Sequence, residues 1–359
     1  IVEKGWEKGW IIPNKPRKRY NKKIAVIGGG PAGLSAAINL NRYGYNVVLF
    51  ERDEKAGGLL TFGIPDFKID KKMIDRRVKQ MEDEGISFVF NTEVGKDITV
   101  KELEDNYDAI VLACGSKKPR DLSIKGREAK GVYFAMDFLT QQNRKNNNIP
   151  LYDKEIITTG KDVLVIGGGD TGADCVGTSL RQGAKSVTQV EILDKPSENR
   201  VNTNPWPQYP LILKTSTSHK EANYKYGNDP REWNVTTKEF IKDENDNLTG
   251  VKIAKVESYK DGNGKINFRE IEGTEEIIKA DLVFLSIGFL HPYHEGLLND
   301  SEVKLDGMGN VDASMIDYKT NKEKYFAAGD VRRGQSLVVW AIREGRDVSK
   351  SVHNFLKNK

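Results

Sequence analysis

Cysteine is almost missing from this chain: Cys114 and Cys175 are the only two in 359 residues. That excludes a disulfide scaffold, a four-cysteine zinc or iron–sulfur site and any Cys-x-x-Cys redox centre, so no iron–sulfur cluster is expected in this chain. Long apolar runs are missing too. The longest, around Leu282–Leu290 and Leu337–Ile342, fall well short of the roughly 18 residues of a membrane span. Neither sign of charge dominates, with 56 basic residues against 52 acidic ones and a net +4. Both signs are mixed along the chain, so neither a nucleic acid nor a membrane is an expected partner. No signal-peptide pattern opens the sequence, and the expected location is cytoplasmic, although residue 1 is Ile rather than Met.

Glycine is plentiful, with 34 residues beside a 38% apolar set, and the length suggests two domains at about 150 residues each. A repeat organises them. Lys23–Ile27 is a buried strand, Gly28-Gly-Gly-Pro-Ala-Gly33 a turn, and Leu34–Tyr43 a helix stopped by Gly44; the strand Asn46–Phe50 leads into Glu51. The same grammar returns as the strand Asp162–Ile166, the turn Gly167-Gly-Gly-Asp-Thr-Gly172, the helix Ala173–Arg181 ended by Gly183, and the strand Ser186–Leu193 containing Glu191. Each unit has a later echo, Asp108–Gly115 and Asp281–Gly288, in which an Asp opens a buried strand and a Gly follows seven positions on.

Each turn fits a dinucleotide site. Gly28 permits the tight bend, Gly30 lets a diphosphate approach the backbone, and Gly33 lets helix and strand pack closely. The helix start behind Pro31 and Ala32 offers free N–H groups and a positive dipole end to the diphosphate. Gly167, Gly169, Asp170, Thr171 and Gly172 repeat the arrangement. Glu51 follows Gly28 by 23 positions and Glu191 follows Gly167 by 24, where a carboxylate accepts ribose hydroxyls. Two such sites imply electron transfer between two cofactors.

A third segment indicates which cofactors. Tyr325–Asp330 is a small-residue strand ending in Gly329-Asp330, and Gly334-Gln335-Ser336-Leu337 opens a helix. Asp330 is placed to hold a ribityl hydroxyl, and the helix start to face a flavin's pyrimidine edge. FAD is therefore expected at the first turn, with Arg52, Gly58, Leu59 and Gly115 completing its site. The nicotinamide nucleotide is expected at the second, with Lys195, Arg200 and Gly288 added. Glu191 favours NADH through a ribose 2′-hydroxyl; Lys195 and Arg200 follow in the loop and favour a 2′-phosphate, tipping the expectation to NADPH.

These segments resemble a two-dinucleotide-binding flavoprotein and, more narrowly, the small (beta) subunit of glutamate synthase. The resemblance rests on Gly57–Lys68, Gly167–Cys175, Asn204-Pro-Trp-Pro207, Asp229-Pro-Arg231 and Thr237–Phe240, and runs from about Trp6 to the C-terminus. It implies FAD at the first unit, NADPH or NADH at the second, and a large (alpha) subunit as electron acceptor for glutamate synthesis. The family's small subunit begins with a cysteine-rich cluster domain that this sequence does not contain. The alternatives are a reductase subunit feeding ferredoxin or a pyrimidine-reducing partner, and a non-catalytic nucleotide-binding redox sensor.

The expected fold is α/β, with two Rossmann-like dinucleotide-binding domains in the two-domain arrangement of glutathione reductase. Residues 1–14 are an extension, 15–120 and 289–359 form the FAD domain, and 121–288 form an inserted pyridine-nucleotide domain. Lys15–Arg19 is expected to be a solvated linker, 194–235 a long loop, Met73–Glu84 an amphipathic helix, and Val251–Ile271 a hairpin turning at Asp261–Gly264. Both cysteines are expected to be buried small hydrophobes, and His291 and His294 to be surface residues. Hydride transfer needs no side-chain nucleophile, so no catalytic residue is assigned.

Overall fold

A computed structural model describes residues 1–151 and 153–358. The chain forms two compact units, 1–120 with 288–359, and 121–287.

In chain order the first unit supplies β1 (Lys23–Ile27), β2 (Asn46–Phe50), β3 (Ser87–Val89) and β4 (Ala109–Leu112). The second supplies β5 (Val132–Phe134), β6 (Asp162–Ile166), β7 (Ser186–Glu191), β8 (Arg231–Trp233), β9 (Val235–Lys242), β10 (Leu248–Lys260), β11 (Ile266–Glu270), β12 (Glu276–Lys279) and β13 (Leu282–Leu285). The chain returns to the first unit for β14 (Tyr325–Ala327).

The first unit's sheet is parallel, in the order β14-β4-β1-β2-β3. Ile24, Ala25 and Val26 of β1 are wholly buried, as a parallel strand covered on both faces must be. The helices Pro31–Tyr43 and Val338–Lys357 pack together over one face, where Ala36, Leu40, Val348 and Val352 join the strand residues. Leu103, Leu297 and Val331 lie in the core on the other face. Burying each large apolar side chain contributes about 1.5–3 kcal/mol before chain entropy is counted.

The second unit repeats this plan as β5-β13-β6-β7-β8, all parallel. A second, antiparallel sheet pairs β10 with β9, β11 and β12. The hairpin at 251–271 is thus β10–β11, and the helix expected at 73–84 spans Lys71–Asp83, capped by Asp70 accepting from Lys72 N–H at 2.9 Å.

The segment 194–235 is not one loop. It carries the helix Thr217–Tyr226 and strand β8, which lies on the edge of the parallel sheet; its longest stretch without a regular element is 194–216. The segment Lys15–Arg19 has no regular element and is exposed apart from half-buried Pro16, but it is anchored at its end. The Arg19 guanidinium is tied into the first unit, donating to Asn41 Oδ1 at 2.7 Å and to the carbonyls of Tyr45 and Glu84 at 2.6 and 3.1 Å.

Candidate functional site: two glycine turns and their clefts

The turn after β1 bends at Gly28 with φ +104°, and a Cβ there would lie 2.5 Å from the Ala113 carbonyl oxygen. A Cβ on Gly33 would lie 1.8 Å from Gly28 O, so the helix Pro31–Tyr43 reaches its strand only because residue 33 has no side chain. That helix starts at Gly30 with no side-chain cap and no acid in its first turn, leaving its N–H groups to a ligand. Glu51, at the end of β2, is 5% exposed. It accepts from Gly29 N–H at 2.7 Å and from Asp53 N–H at 3.0 Å, and burial raises its pKa above the ordinary glutamate value.

One cleft runs over this turn. Gly28, Gly30, Pro31, Ala32, Glu51, Arg52, Gly58, Leu59, Gly115, Asp330, Ser336 and Leu337 all line it. Gly33, Gly329 and Gln335 stand behind the lining: Gly329 packs on Ala32, and Gln335 accepts from Phe289 N–H at 3.0 Å. Gly58 has φ +54° and begins the short helix Leu59–Phe62. The buried Lys71 ammonium holds that segment by donating to the carbonyls of Leu60 and Ile64.

Asp330 accepts from Ser336 Oγ at 2.9 Å, and burial raises its pKa. The helix Val338–Lys357 begins at the cleft with no side-chain cap and no acid in its first turn. Sequence reasoning missed Glu344, which is 2% exposed. It accepts from Gly329 N–H at 2.8 Å and from the guanidiniums of Arg332 and Arg333 at 2.7 and 2.8 Å, fixing the Gly-Asp turn. An acid 14 positions after Asp330 gives no local pattern that would reveal it.

The first cleft fits a dinucleotide. A Cβ on Gly30 or on Gly115 would meet nothing within 4 Å, so the backbone there faces open space. Ser116 lines the same space, and its buried Oγ has no hydrogen-bond partner among the described residues.

The second turn reproduces the first. Gly167 has φ +116°, and its Cβ would lie 2.5 Å from Ser286 O; a Cβ on Gly172 would lie 2.3 Å from Gly167 O. Glu191 accepts from Gly168 N–H at 2.6 Å and Leu193 N–H at 3.0 Å, the same two backbone positions that Glu51 uses. The helix Asp170–Arg181 again lacks a side-chain cap, but Asp170 places an acid in its first turn.

Gly169, Asp170 and Glu191 line a second cleft with Lys214, Thr215, Ser216, His219, Arg231 and Trp233. Gly167, Thr171 and Gly172 belong to the turn beside it. Lys195 places its ammonium 5.1 Å from the Trp233 ring centroid. Arg200 does not line the cleft: its guanidinium donates to the carbonyls of Asn204 and Gln208 at 3.2 and 2.8 Å, closing the loop on itself. Gly288, expected at this second site, falls in the first unit, where a Cβ would lie 2.7 Å from Gln335 Nε2.

The narrow motifs have structural work in this wall. Buried Asn204 accepts from Leu211 N–H at 2.8 Å and donates to Tyr209 O at 3.0 Å. Arg231 pairs with Asp229 at 2.8 Å and donates to Lys214 O at 3.0 Å and Thr215 Oγ at 3.1 Å.

Other candidates are inert. Cys175 is wholly buried in the second unit's core; Cys114 edges the first cleft, and burial pushes its thiol up to about 11. His291 and His294 are half-buried, stacked at 4.3 Å, and bonded to the carbonyls of Pro292 and Gly309. Among the described residues no group of three or more His, Cys, Asp or Glu side chains is arranged to hold a metal, and no helix is long and apolar enough to cross a membrane.

Two parallel-sheet units, each with a glycine turn and an acid at the end of the next strand, define an FAD- and NAD(P)H-dependent oxidoreductase. The family model of pyridine nucleotide-disulphide oxidoreductases matches residues 22–204 and 231–345. The chain is 47% identical to the glutamate synthase (NADPH) small chain of Bacillus subtilis strain 168, over 99% of its own length and 72% of that protein. It is 46% identical to glutamate synthase (NADH) of Schizosaccharomyces pombe, over 98% of its length but 17% of that protein. In structure it resembles FprA from Mycobacterium tuberculosis, with TM-score 0.71 and 19% identity, covering 94% of this chain and 85% of that one. The chain belongs to the pyridine nucleotide-disulphide oxidoreductases and, within them, to the glutamate synthase small-chain family.

Proposed function

We propose that FAD occupies the cleft over Gly28, that NADPH occupies the cleft over Gly167, and that the chain is the electron-input module of a glutamate synthase. The observation that carries the first assignment is an asymmetry. Both units have the turn and the glutamate, but only the first adds Asp330 and an uncapped helix start to the same cleft. When bound, the flavin takes a hydride equivalent from the nicotinamide nucleotide and passes electrons on.

The chain's residues do the holding. Glu51 accepts from ribose hydroxyls, the free N–H groups after Gly30 face the diphosphate, and Asp330 accepts from a ribityl hydroxyl. In the second unit Gly169 and the start of its helix take the nucleotide's diphosphate. Lys195 and Lys214 supply positive charge for a 2′-phosphate, while Glu191 is held by the N–H of Gly168 in its glycine turn and by that of Leu193. We read the location as cytoplasmic, the acceptor as a large glutamate synthase subunit, and the chain as carrying no iron–sulfur cluster. The count of two cysteines, Cys114 and Cys175, against the four thiolates such a cluster takes, supports the last point.

Anaerobic titration of the yellow protein tests the reading. NADPH should bleach the flavin, and Gly28→Val should abolish flavin binding while leaving binding of an immobilised nicotinamide nucleotide intact. Flavin retained by Gly28→Val would reverse the assignment. A tenfold kcat/KM preference for NADH would overturn the choice of NADPH.

A further inference from the structure

The two glycine turns are built alike but rest on different floors. Beneath the first lie Leu49 and Ala113, both apolar and buried. Strand register puts Gln189 where Leu49 stands, since Leu49 pairs with Val26 and Gln189 with Val165; Ser286 takes the place of Ala113. Gln189 is 1% exposed. Its Nε2 donates to Gly167 O at 2.8 Å, and its Oε1 lies 2.8 Å from His219 Nε2. With the amide N–H directed at the turn, the Gln189 oxygen faces the imidazole, so Nε2 of His219 carries the proton.

His219 continues the relay outward. It is 4% exposed, sits in the first turn of the helix Thr217–Tyr226, and its Nδ1 accepts from Ser216 N–H at 3.3 Å. Ser216, Thr215 and Lys214 line the same cleft as the turn's Gly168, Gly169 and Asp170. An unbroken set of hydrogen bonds therefore joins that stretch to the carbonyl of the first turn glycine. Nothing polar stands at the Leu49 and Ala113 positions of the first unit.

We propose that His219 and Gln189 are positioning residues for the nicotinamide nucleotide, holding the Lys214–Ser216 wall and the Gly167 turn at the separation that grips the adenosine-diphosphate end. The inference rests on the reading that this nucleotide binds the second cleft. A network at the diphosphate end acts on binding, so its loss raises KM and spares kcat.

The test uses the full chain with flavin bound, in steady-state NADPH:dye reduction. His219→Phe keeps a ring but loses the donor and acceptor; it should raise KM about tenfold, the effect of one buried hydrogen bond, with kcat within about twofold and flavin content unchanged. His219→Gln returns an N–H near the Nε2 position and should restore KM to within about threefold. Gln189→Leu copies the floor of the first turn and should match His219→Phe, which keeps the test alive if the phenylalanine variant does not fold. An unchanged KM in the variants that fold overturns the proposal. So does a raised KM in His219→Phe that His219→Gln fails to rescue, since that marks packing alone. Gly172→Val separates the two levels: if it too leaves KM unchanged, the nucleotide does not bind at this turn and the underlying reading fails.

Discussion

Burial raises the pKa of two of the carboxylates that line the first cleft. Glu51 and Asp330 both have pKa values raised by desolvation. A ribose or ribityl hydroxyl donates best to the ionised form, so acidification should loosen the flavin at a higher pH than exposed carboxylates would. The flavin-free protein should respond with the opposite sign. With the folded pKa raised, stability from these groups is present below the unfolded value near pH ~4 and is lost as pH rises through the folded value. Flavin Kd measured by fluorescence quenching between about pH 4 and 8 should fall as pH rises, and Glu51→Gln should flatten the curve. A wild-type curve as flat as the variant's rules this out. Asp330→Ala removes a charged acceptor worth about 1.5–3 kcal/mol, a ten- to hundredfold loss in flavin affinity. Wild-type flavin stoichiometry in dilute gel filtration would show that Asp330 does not hold the cofactor.

Among the elements of the first unit, the helices Pro31–Tyr43 and Val338–Lys357 cross in close contact. A Cβ on Gly345 would lie 2.3 Å from Ala32 O and 2.7 Å from Ser35 Cβ. The second helix lines the first cleft through Val338 and Ala341, so spreading this crossing distorts the cleft. Gly345→Ala should cost about 1–3 kcal/mol of stability, seen as a lower Tm, and should release flavin; a variant with wild-type Tm and flavin content refutes the coupling. The strands were legible because a doubly covered parallel strand is a continuous apolar run, as in Ile24–Ile27 and Val163–Ile166. The turns were legible because close backbone approach leaves glycine no substitute. The helix Thr217–Tyr226 was not, because its buried residues are Ser218, His219 and Ala222 and show no apolar period. Nor was the role of Arg200. A basic residue in a loop suggests phosphate, and only coordinates reveal that it closes on the loop's own carbonyls.

For the whole molecule, the expected behaviour is that of a diaphorase. This chain, supplied with FAD and NADPH, should reduce a soluble dye. Given NADPH, glutamine and 2-oxoglutarate without a partner, it should make no glutamate, because no activated nucleophile for releasing ammonia is legible in it. Glutamate formation by the isolated chain, or visible iron–sulfur absorption, would contradict this.

The two places where the chain crosses between units carry a consequence for how such a protein is assembled and altered. Pro119 and Phe289 form an antiparallel bridge, and Arg120 N–H donates to Gly288 O at 2.9 Å, so exit and re-entry lie side by side within the first unit. The first unit therefore closes on itself before and after the insertion, and residues 121–287 form a cassette. Splicing 120 to 288 through a turn of about four residues should leave a folded flavoprotein, since a shorter closure costs the chain less entropy. It should bind FAD with wild-type stoichiometry and be blind to NADPH, and failure to bind FAD would mean the body depends on its guest. The same doorway would accept another reductant-binding domain, making the electron donor an exchangeable part on a fixed flavin chassis.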